Sequence, residues 1–239
     1  MSSKILIDVL ETGVWGTVGP QMKEAGNILA EYLNMKYALI THSKTGALEA
    51  LLRAYEITYG DKVIVASYSD PMDSLTVAAI GATPVFVDAI SPETVSNAKA
   101  IIIDGPCDGK LAKTLKEKNI LCIVNAGADL KMKICSCADA VVYDLSPYIG
   151  KGGAIVTNDK ICYFGVFAYH TCGRSVEADS TALEYDKIIG GDFRITEWHA
   201  CLLKEALTKT YEITPREFKD MKNQPFFKSD YVKKLTGKI

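Results

Sequence analysis

Short apolar segments alternate with amphipathic segments along most of the chain, and the two kinds of segment have different periods. The mainly apolar runs Tyr37–Thr41 and Lys62–Ala66 predict buried strands. After the first of these, apolar residues recur at helical spacing, at Ala47, Leu48, Leu51, Leu52 and Tyr55. Strands that alternate with helices predict an α/β fold, with a mostly parallel sheet sandwiched by helices.

The same alternation continues toward the C-terminus. Further strands are predicted at 85–88, 99–104, 120–124 and 138–144, and helices at 110–118 and from 198 to about 210. Pro20 suits the first position of an earlier helix, because its backbone needs no hydrogen-bond donor there. Parallel sheets bind ligands at the carboxyl ends of their strands, where Ser43, Asn125 and Ser146 are predicted to lie.

A small polar turn at His42 and Ser43 joins the strand Tyr37–Thr41 to the helix that begins at Lys44. Ser43 is predicted to cap this helix, whose first-turn amide groups have no partner within the helix. Such amides, with the small hydroxyl side chain of Thr45 beside them, attract phosphate or another anion. The alternative interpretation is an ordinary connection between a strand and a helix.

Composition narrows the classes of function. The chain has 239 residues, 48% of them hydrophobic, which suffices for one sizeable core. A net charge of −2 provides no basic field for nucleic acid, and no apolar run is long enough to span a membrane. Seven cysteines without the spacing of a small disulfide scaffold indicate reduced thiols in a cytoplasm. Cys135 and Cys137 lack a second pair of ligands, so no metal site is expected.

Five segments occur in an order that is typical of one protein family. They are 43–48 (Ser-Lys-Thr-Gly-Ala-Leu), 60–66 (Gly-Asp-Lys-Val-Ile-Val-Ala), 81–88 (Gly-Ala-Thr-Pro-Val-Phe-Val-Asp), 151–159 (Lys-Gly-Gly-Ala-Ile-Val-Thr-Asn-Asp) and 190–200 (Gly-Gly-Asp-Phe-Arg-Ile-Thr-Glu-Trp-His-Ala). With the glycine-rich loop 12–20 and the turn 170–174, they resemble the DegT/DnrJ/EryC1/StrS family of sugar aminotransferases. The resemblance covers roughly residues 8–207.

The resemblance implies the large domain of the fold-type-I pyridoxal phosphate (PLP) architecture, here residues 1–210. The remaining residues, 211–239, are too few for the family's second domain and are expected to form a short remnant or tail. In this family the active site lies between two subunits. The chain is therefore expected to form a homodimer, or a heteromer with a full-length relative.

Transamination with PLP requires a lysine, a carboxylate on the ring nitrogen, a flat group against the ring and a phosphate cradle. The resemblance places Asn125 at the carboxylate position and Asp70 near the stacking position, where Tyr68 is a substitute. An asparagine carries no charge to hold the protonated ring nitrogen. The resemblance assigns Ser43, Lys44, Thr45 and Ser146 to the phosphate.

The lysine has two alignments. Lys151 follows Ser146 by five residues, as the Schiff-base lysine follows a phosphate-binding serine in the family. Alignment on the strand instead places Asp144 at the serine and Ile149 at the lysine, so that Lys151 replaces a glutamate.

Two further candidate residues lie in the segment 190–200, where the resemblance implies that the family asparagine at position 192 reaches toward the partner subunit's phosphate. Asp192 replaces an asparagine there, and its charge would repel a phosphate, whereas Arg194 is retained.

Two main functions follow from these matches and departures. One is amino transfer from an amino acid to a nucleotide-linked keto sugar, with Lys151 as the Schiff-base lysine. The other is a non-catalytic pseudo-aminotransferase, a partner subunit or a protein that binds a phosphorylated or nucleotide-sugar ligand. A PLP-independent enzyme in the same pocket is a third. The carboxylate, the stacking group and the lysine are all compromised. We therefore expect little or no Schiff-base PLP, with phosphate or another anion at the turn 43–46.

Overall fold

The structure is a computed structural model, and it describes residues 3–15, 19–95, 97–134, 138–175, 188–209 and 218–236. The described residues form seven strands: β1 (Tyr37–Thr41), β2 (Lys62–Ala66), β3 (Thr83–Val87), β4 (Ala100–Asp104), β5 (Leu121–Gly127), β6 (Ala140–Asp144) and β7 (Gly153–Thr157). They also form α1 (Ser3–Glu11), α2 (Pro20–Tyr32), α3 (Lys44–Ala54), α4 (Pro71–Ala79), α5 (Gly109–Glu117), α6 (Ser146–Ile149), α7 (Lys160–His170), α8 (Glu197–Ala206), α9 (Pro225–Lys228) and α10 (Asp230–Leu235).

All seven strands belong to one sheet, in the order β1-β7-β6-β5-β4-β2-β3. The pairs from β3 through β6 are parallel, whereas β7 runs antiparallel to both β6 and β1. The predicted mostly parallel α/β fold is therefore confirmed. One difference is that β5 continues through Asn125 to Gly127, where the register with β6 shifts, instead of ending in a turn at Asn125.

Helices cover the sheet in two groups. One group is α3 with its neighbours α4 and α7, and the other is α2 with α8, against which α1 and α6 also pack. Between them lies a core of fully buried side chains, among them Leu48, Leu51, Ile64, Ile101 and Ile123. Since the central strands are buried on both faces, they are continuous apolar runs without polar alternation.

The segment 218–236 packs over β3, the last strand of the sheet on that side. The backbone amide of Met221 donates to the Ser67 carbonyl at 2.8 Å, and the Thr83 hydroxyl donates to the Thr236 carbonyl at 3.1 Å. Phe227 meets Phe86 of β3 edge to face, with ring centroids 5.1 Å apart. These contacts attach the segment to the side of the sheet where β3 is the last strand. A division of the chain at residue 210 stays a prediction.

Among the described residues, no helix combines the length and the apolar character needed to cross a membrane.

Candidate functional site

The carboxyl ends of β1, β4, β5 and β6 meet at one edge of the sheet, because all four strands point the same way. Ser43, Asp104, Asn125 and Ser146 lie at or just beyond these ends. This is the edge at which open α/β sheets bind ligands, so it is the candidate site.

The turn before α3 is built as the sequence predicts. Ser43 caps the helix, its hydroxyl accepting from the Gly46 amide at 3.0 Å and lying 3.1 Å from the Thr45 hydroxyl. Gly153 at the start of β7 packs directly against this turn, since a Cβ there would lie 2.4 Å from the Lys44 backbone nitrogen. A side chain at position 153 would therefore collide with the backbone of the turn.

The Lys44 side chain turns into the protein, and it is only 7% exposed. Its ammonium group donates to Asp70 Oδ2 at 2.7 Å and to Asp73 Oδ1 at 2.8 Å. Burial acts to lower the pKa of Lys44, but the charges of Asp73 and Asp70 outweigh it, so the pKa lies above the usual value. The positive charge of Lys44, which lies in the turn 43–46, is therefore paired with the carboxylates of Asp70 and Asp73.

Asp73 links this ion pair to Asn125. The Asn125 side-chain amide donates to Asp73 Oδ2 at 2.6 Å, and its carbonyl oxygen accepts from the Gly127 amide at 2.9 Å. Asp73 is fully buried, and burial raises the pKa of its carboxyl against the opposing charge of Lys44. Asn125 is therefore held as a donor to a carboxylate.

Asp104 adds a third carboxyl group to those of Asp70 and Asp73. Asp70 caps α4 by accepting from the Met72 amide, and its own amide donates to Asp104 Oδ2 at 3.3 Å. Asp104 keeps contact with solvent, but the protein around its carboxylate, together with Asp73, raises its pKa to about 7. We refer to Lys44, Asp70, Asp73, Asp104 and Asn125 as the Lys44 network.

Asp104→Asn is expected to remove one loss of stability that the wild type undergoes as the pH rises. The folded-state pKa of Asp104 lies at about 7, above its ordinary value of 3.8, so the folded protein binds more protons than the unfolded chain between these values. Its stabilising contribution is complete below the ordinary value and is lost as the pH rises through the folded-state value. Lys44, Asp70 and Asp73 face the group, and Asp73 shifts in the same direction.

Denaturant unfolding at about pH 5 and about pH 8 measures this effect. The histidines whose pKa is lowered by burial act in the opposite direction in both proteins. The stability at about pH 8 minus that at about pH 5 should therefore be more positive in Asp104→Asn than in the wild type, because the variant lacks the loss that Asp104 contributes. Glu117→Gln changes an exposed carboxylate and should show the same difference in stability between the two pH values as the wild type. Equal differences in the wild type and Asp104→Asn would contradict the prediction.

Lys151 lies in a different environment from Asn125. It is exposed, and its charge helps to lower the pKa of His42 and of His199, after the larger effect of their burial. The cation that acts on Asp73 and Asp104 is Lys44 instead. The structure therefore places a buried lysine among the predicted cofactor residues, but it is not the one that motif spacing suggested.

Ser146 follows β6 and begins α6. Its amide and its hydroxyl both donate to Asp144 Oδ1, at 2.9 and 2.5 Å. A carboxylate bound to this serine disfavours a phosphate in the same place.

Asp192 and Arg194 bind each other. The guanidinium group donates to both carboxylate oxygens, with Nε at 2.8 Å and Nη2 at 2.9 Å. Arg194 lowers the pKa of Asp192 through this hydrogen bonding. Arg194 balances the negative charge of Asp192, and the guanidinium group of Arg194 is in turn occupied by this ion pair.

Tyr68, the predicted substitute for the stacking group, is 62% exposed. Within the described ranges, no three His, Cys, Asp or Glu side chains are grouped so as to hold a metal ion. Cys135 and Cys137 lie outside the described residues.

The Lys44 network does not fit PLP, the cofactor that the resemblance implies. A ring would need open space between the stacking position, at Asp70, and the partner of its ring nitrogen, at Asn125. Lys44 and Asp73 instead connect these residues by hydrogen bonds. A ring placed there would break two buried ion pairs, and the three carboxylates would repel its phosphate.

Sequence reasoning missed Asp73, Asp104 and the direction of Lys44. A signal for Asp73 was present, since it is a charged residue at the start of the apolar stretch 72–80. Charged residues are rarely fully buried unless they are paired, so this position predicts a buried cation nearby.

Comparison with known proteins gives the relationship of the chain. Residues 2–102 match the model of the DegT/DnrJ/EryC1/StrS aminotransferase family. A dTDP-3-amino-3,6-dideoxy-alpha-D-galactopyranose transaminase from Aneurinibacillus thermoaerophilus is 29% identical over 177 residues, which are 63% of this chain and 48% of that protein. The GDP-perosamine synthase of Escherichia coli O157:H7 is 26% identical over 203 residues, 74% of this chain and 55% of that protein. The chain thus spans about half the length of these curated relatives.

A solved structure shares the fold. A putative sugar aminotransferase from Streptococcus pneumoniae, in its PLP form, superposes with a TM-score of 0.72 at 21% sequence identity, covering 86% of this chain and 63% of that one. The resemblance seen in the motifs is confirmed by the match of residues 2–102 to the model of the DegT/DnrJ/EryC1/StrS aminotransferase family and by the similarity of the chain to these two relatives.

Proposed function

We propose that this chain is a non-catalytic member of its family, a partner subunit that pairs with a full-length relative and does not itself carry out PLP-dependent amino transfer. The observation that carries the proposal is the chain of contacts from Asp70 through Lys44 and Asp73 to Asn125. The residues that would surround the cofactor are bonded to one another, and the position of the ring-nitrogen carboxylate holds a neutral amide.

An exposed apolar surface supports the pairing. Trp15 and Trp198 are 56% and 45% exposed, and the Glu197 amide donates to the Trp15 carbonyl, which brings the two tryptophans into the same region. Ile7 and Leu10 of α1, a helix that packs on α8, are also exposed. Contiguous exposed apolar residues of this kind are typical of protein interaction sites.

An absorbance spectrum with added PLP tests the catalytic part. We expect no visible band and no lysine fixed to the cofactor by borohydride, because Lys44 is ion-paired, the exposed Lys151 acts on His42 and His199, and the ring-nitrogen position holds a neutral amide. A full-length relative such as GDP-perosamine synthase is the positive control. A stoichiometric visible band lost in Lys151→Ala would contradict the proposal and favour amino transfer.

Light scattering, with and without a full-length relative, tests the partner part. We expect a species heavier than the 26.0 kDa chain. The double variant Trp15→Ser, Trp198→Ser should form less of this species, because its association is weaker. Tyr59→Ser is the matched control, since Tyr59 is an exposed aromatic residue outside this surface. A single chain under both conditions would overturn the pairing.

A further inference from the structure

The Lys44 network binds a primary ammonium group in the way a site binds a ligand. Two of the three N–H donors of the Lys44 ammonium group go to carboxylates of α4, one on Asp70 and one on Asp73. The group is buried, so these bonds replace its water. Short charge-assisted bonds of this kind are among the stronger hydrogen bonds in proteins.

The residues around this ammonium group are themselves fixed. Asp73 is oriented on its second oxygen by Asn125, and Asn125 is oriented by the Gly127 amide. Asp70 is oriented by the Met72 amide on its first oxygen, while its second faces Lys44. The two acceptors are therefore held in place from outside the ion pair.

The charge in the network is unequal. Two carboxylates, Asp70 and Asp73, bond to one ammonium group, and the carboxyl group of Asp104, which bonds to the Asp70 amide, adds part of a further negative charge at neutral pH. A negative excess favours a cation over an anion at this position, which is the opposite of what a phosphate-bearing cofactor requires.

We infer that the cofactor position of this chain has become a binding site for a primary ammonium group, and that Lys44 of the chain itself occupies it. The inference rests on the proposed function, since it concerns the same site. The site binds primary ammonium groups, and its negative charge excludes an anionic cofactor. A quaternary ammonium ion lacks the N–H donors that both carboxylates need.

Chemical rescue tests the site. Lys44→Ala keeps Cβ and removes three carbons and the ammonium group, which together are the atoms of propylammonium. We expect the variant to unfold at a lower temperature, because Asp73 is left buried without its partner. Propylammonium at about a hundredfold excess over its Kd should raise the ratio of folded to unfolded variant by roughly a hundredfold.

Three controls make the rescue specific. Tetramethylammonium chloride at the same concentration should give no rescue, and propylammonium should leave the wild type unchanged. Lys113→Ala removes the lysine of an exposed ion pair, 3.8 Å from Glu117, and should be neither unstable nor rescued. A variant that is as stable as the wild type, or rescued equally by both salts, would overturn the inference.

The wild type provides a second test if Lys44→Ala does not fold. Acetylation by acetic anhydride, followed by peptide mass spectrometry, should modify Lys44 about tenfold or more slowly than Lys113, because Lys44 reacts only when the network opens. Equal rates would overturn the inference.

The two proposals fail differently. Uptake of PLP by the wild type would contradict the proposed function. A colourless wild type whose Lys44→Ala variant shows no specific rescue would contradict the ammonium site alone.

Discussion

Replacing Asp73 with alanine is expected to lower the free energy of unfolding by about 3–5 kcal/mol, because it breaks a buried ion pair from one side. The carboxylate is fully buried, accepts from the Lys44 ammonium group at 2.8 Å and accepts from the Asn125 amide at 2.6 Å. The substitution leaves an ammonium group and an amide with unmet hydrogen bonds in the interior. Lys44 keeps Asp70 as its remaining partner.

Urea unfolding of three variants measures this effect. Asp73→Asn keeps an acceptor without the charge and should lie between the wild type and Asp73→Ala. Glu117→Ala removes an exposed carboxylate and should change stability by at most about 0.5 kcal/mol. A loss for Asp73→Ala as small as that for Glu117→Ala would show that the ion pair does not form.

A double variant separates the pair from its surroundings. Lys44→Met removes the ammonium charge but keeps most of the side-chain volume, so Asp73→Ala should cost less in its presence than in the wild type. A coupling free energy of about 0.5–3 kcal/mol is expected between contacting residues of this kind. Additive losses would indicate that Asp73 acts independently of Lys44.

The strands were predictable where the chain itself carries the signal. Tyr37–Thr41 and Lys62–Ala66 have the bounds expected from their apolar runs, because strands buried on both faces need no polar alternation. The prediction failed at β5, which runs on to Gly127, since a register shift between strands leaves no mark in a local apolar pattern.

Helix α7 (Lys160–His170) shows a different limit. Its sequence is apolar and aromatic over most of its length, and it packs against both α3 and β1. A helix with neighbours on several sides lacks the single polar face that gives helical periodicity, so the pattern gave no prediction there. The short helix α10 lies in a lysine-rich segment whose packing against α4 is a tertiary effect.

The site was predictable as a location but not as a set of bonds. Strand order places Ser43, Asn125 and Ser146 at one edge, as the parallel-sheet rule requires. The bond between Lys44 and Asp73 joins residues 29 positions apart, and no local pattern encodes it. What the sequence does contain is a lysine in the turn 43–46 and an aspartate at the start of the apolar stretch 72–80, and the structure pairs these two charges.

Replacement of Glu197, which is not part of the Lys44 network, is expected to cause the second large loss of stability. It begins α8, is 1% exposed, and its two carboxylate oxygens accept from the amides of Gln21 and Met22 at 2.7 and 3.1 Å. These amides belong to the first turn of α2, whose cap residue Gly19 has no side chain to satisfy them. Glu197 therefore caps a helix from another part of the chain, and its negative charge suits the positive end of that helix.

Glu197→Ala is expected to destabilise the protein by about 3 kcal/mol, since one buried and one partly buried donor lose charge-assisted bonds. Glu197→Gln keeps one acceptor and should cost less. Gly19→Ala should also destabilise, because a Cβ there would lie 2.5 Å from the Glu197 carboxylate. Urea unfolding measures all three, with Glu31→Ala on the exposed face of α2 as the control. If Glu197→Ala costs no more than Glu31→Ala, α2 does not depend on this carboxylate for its cap.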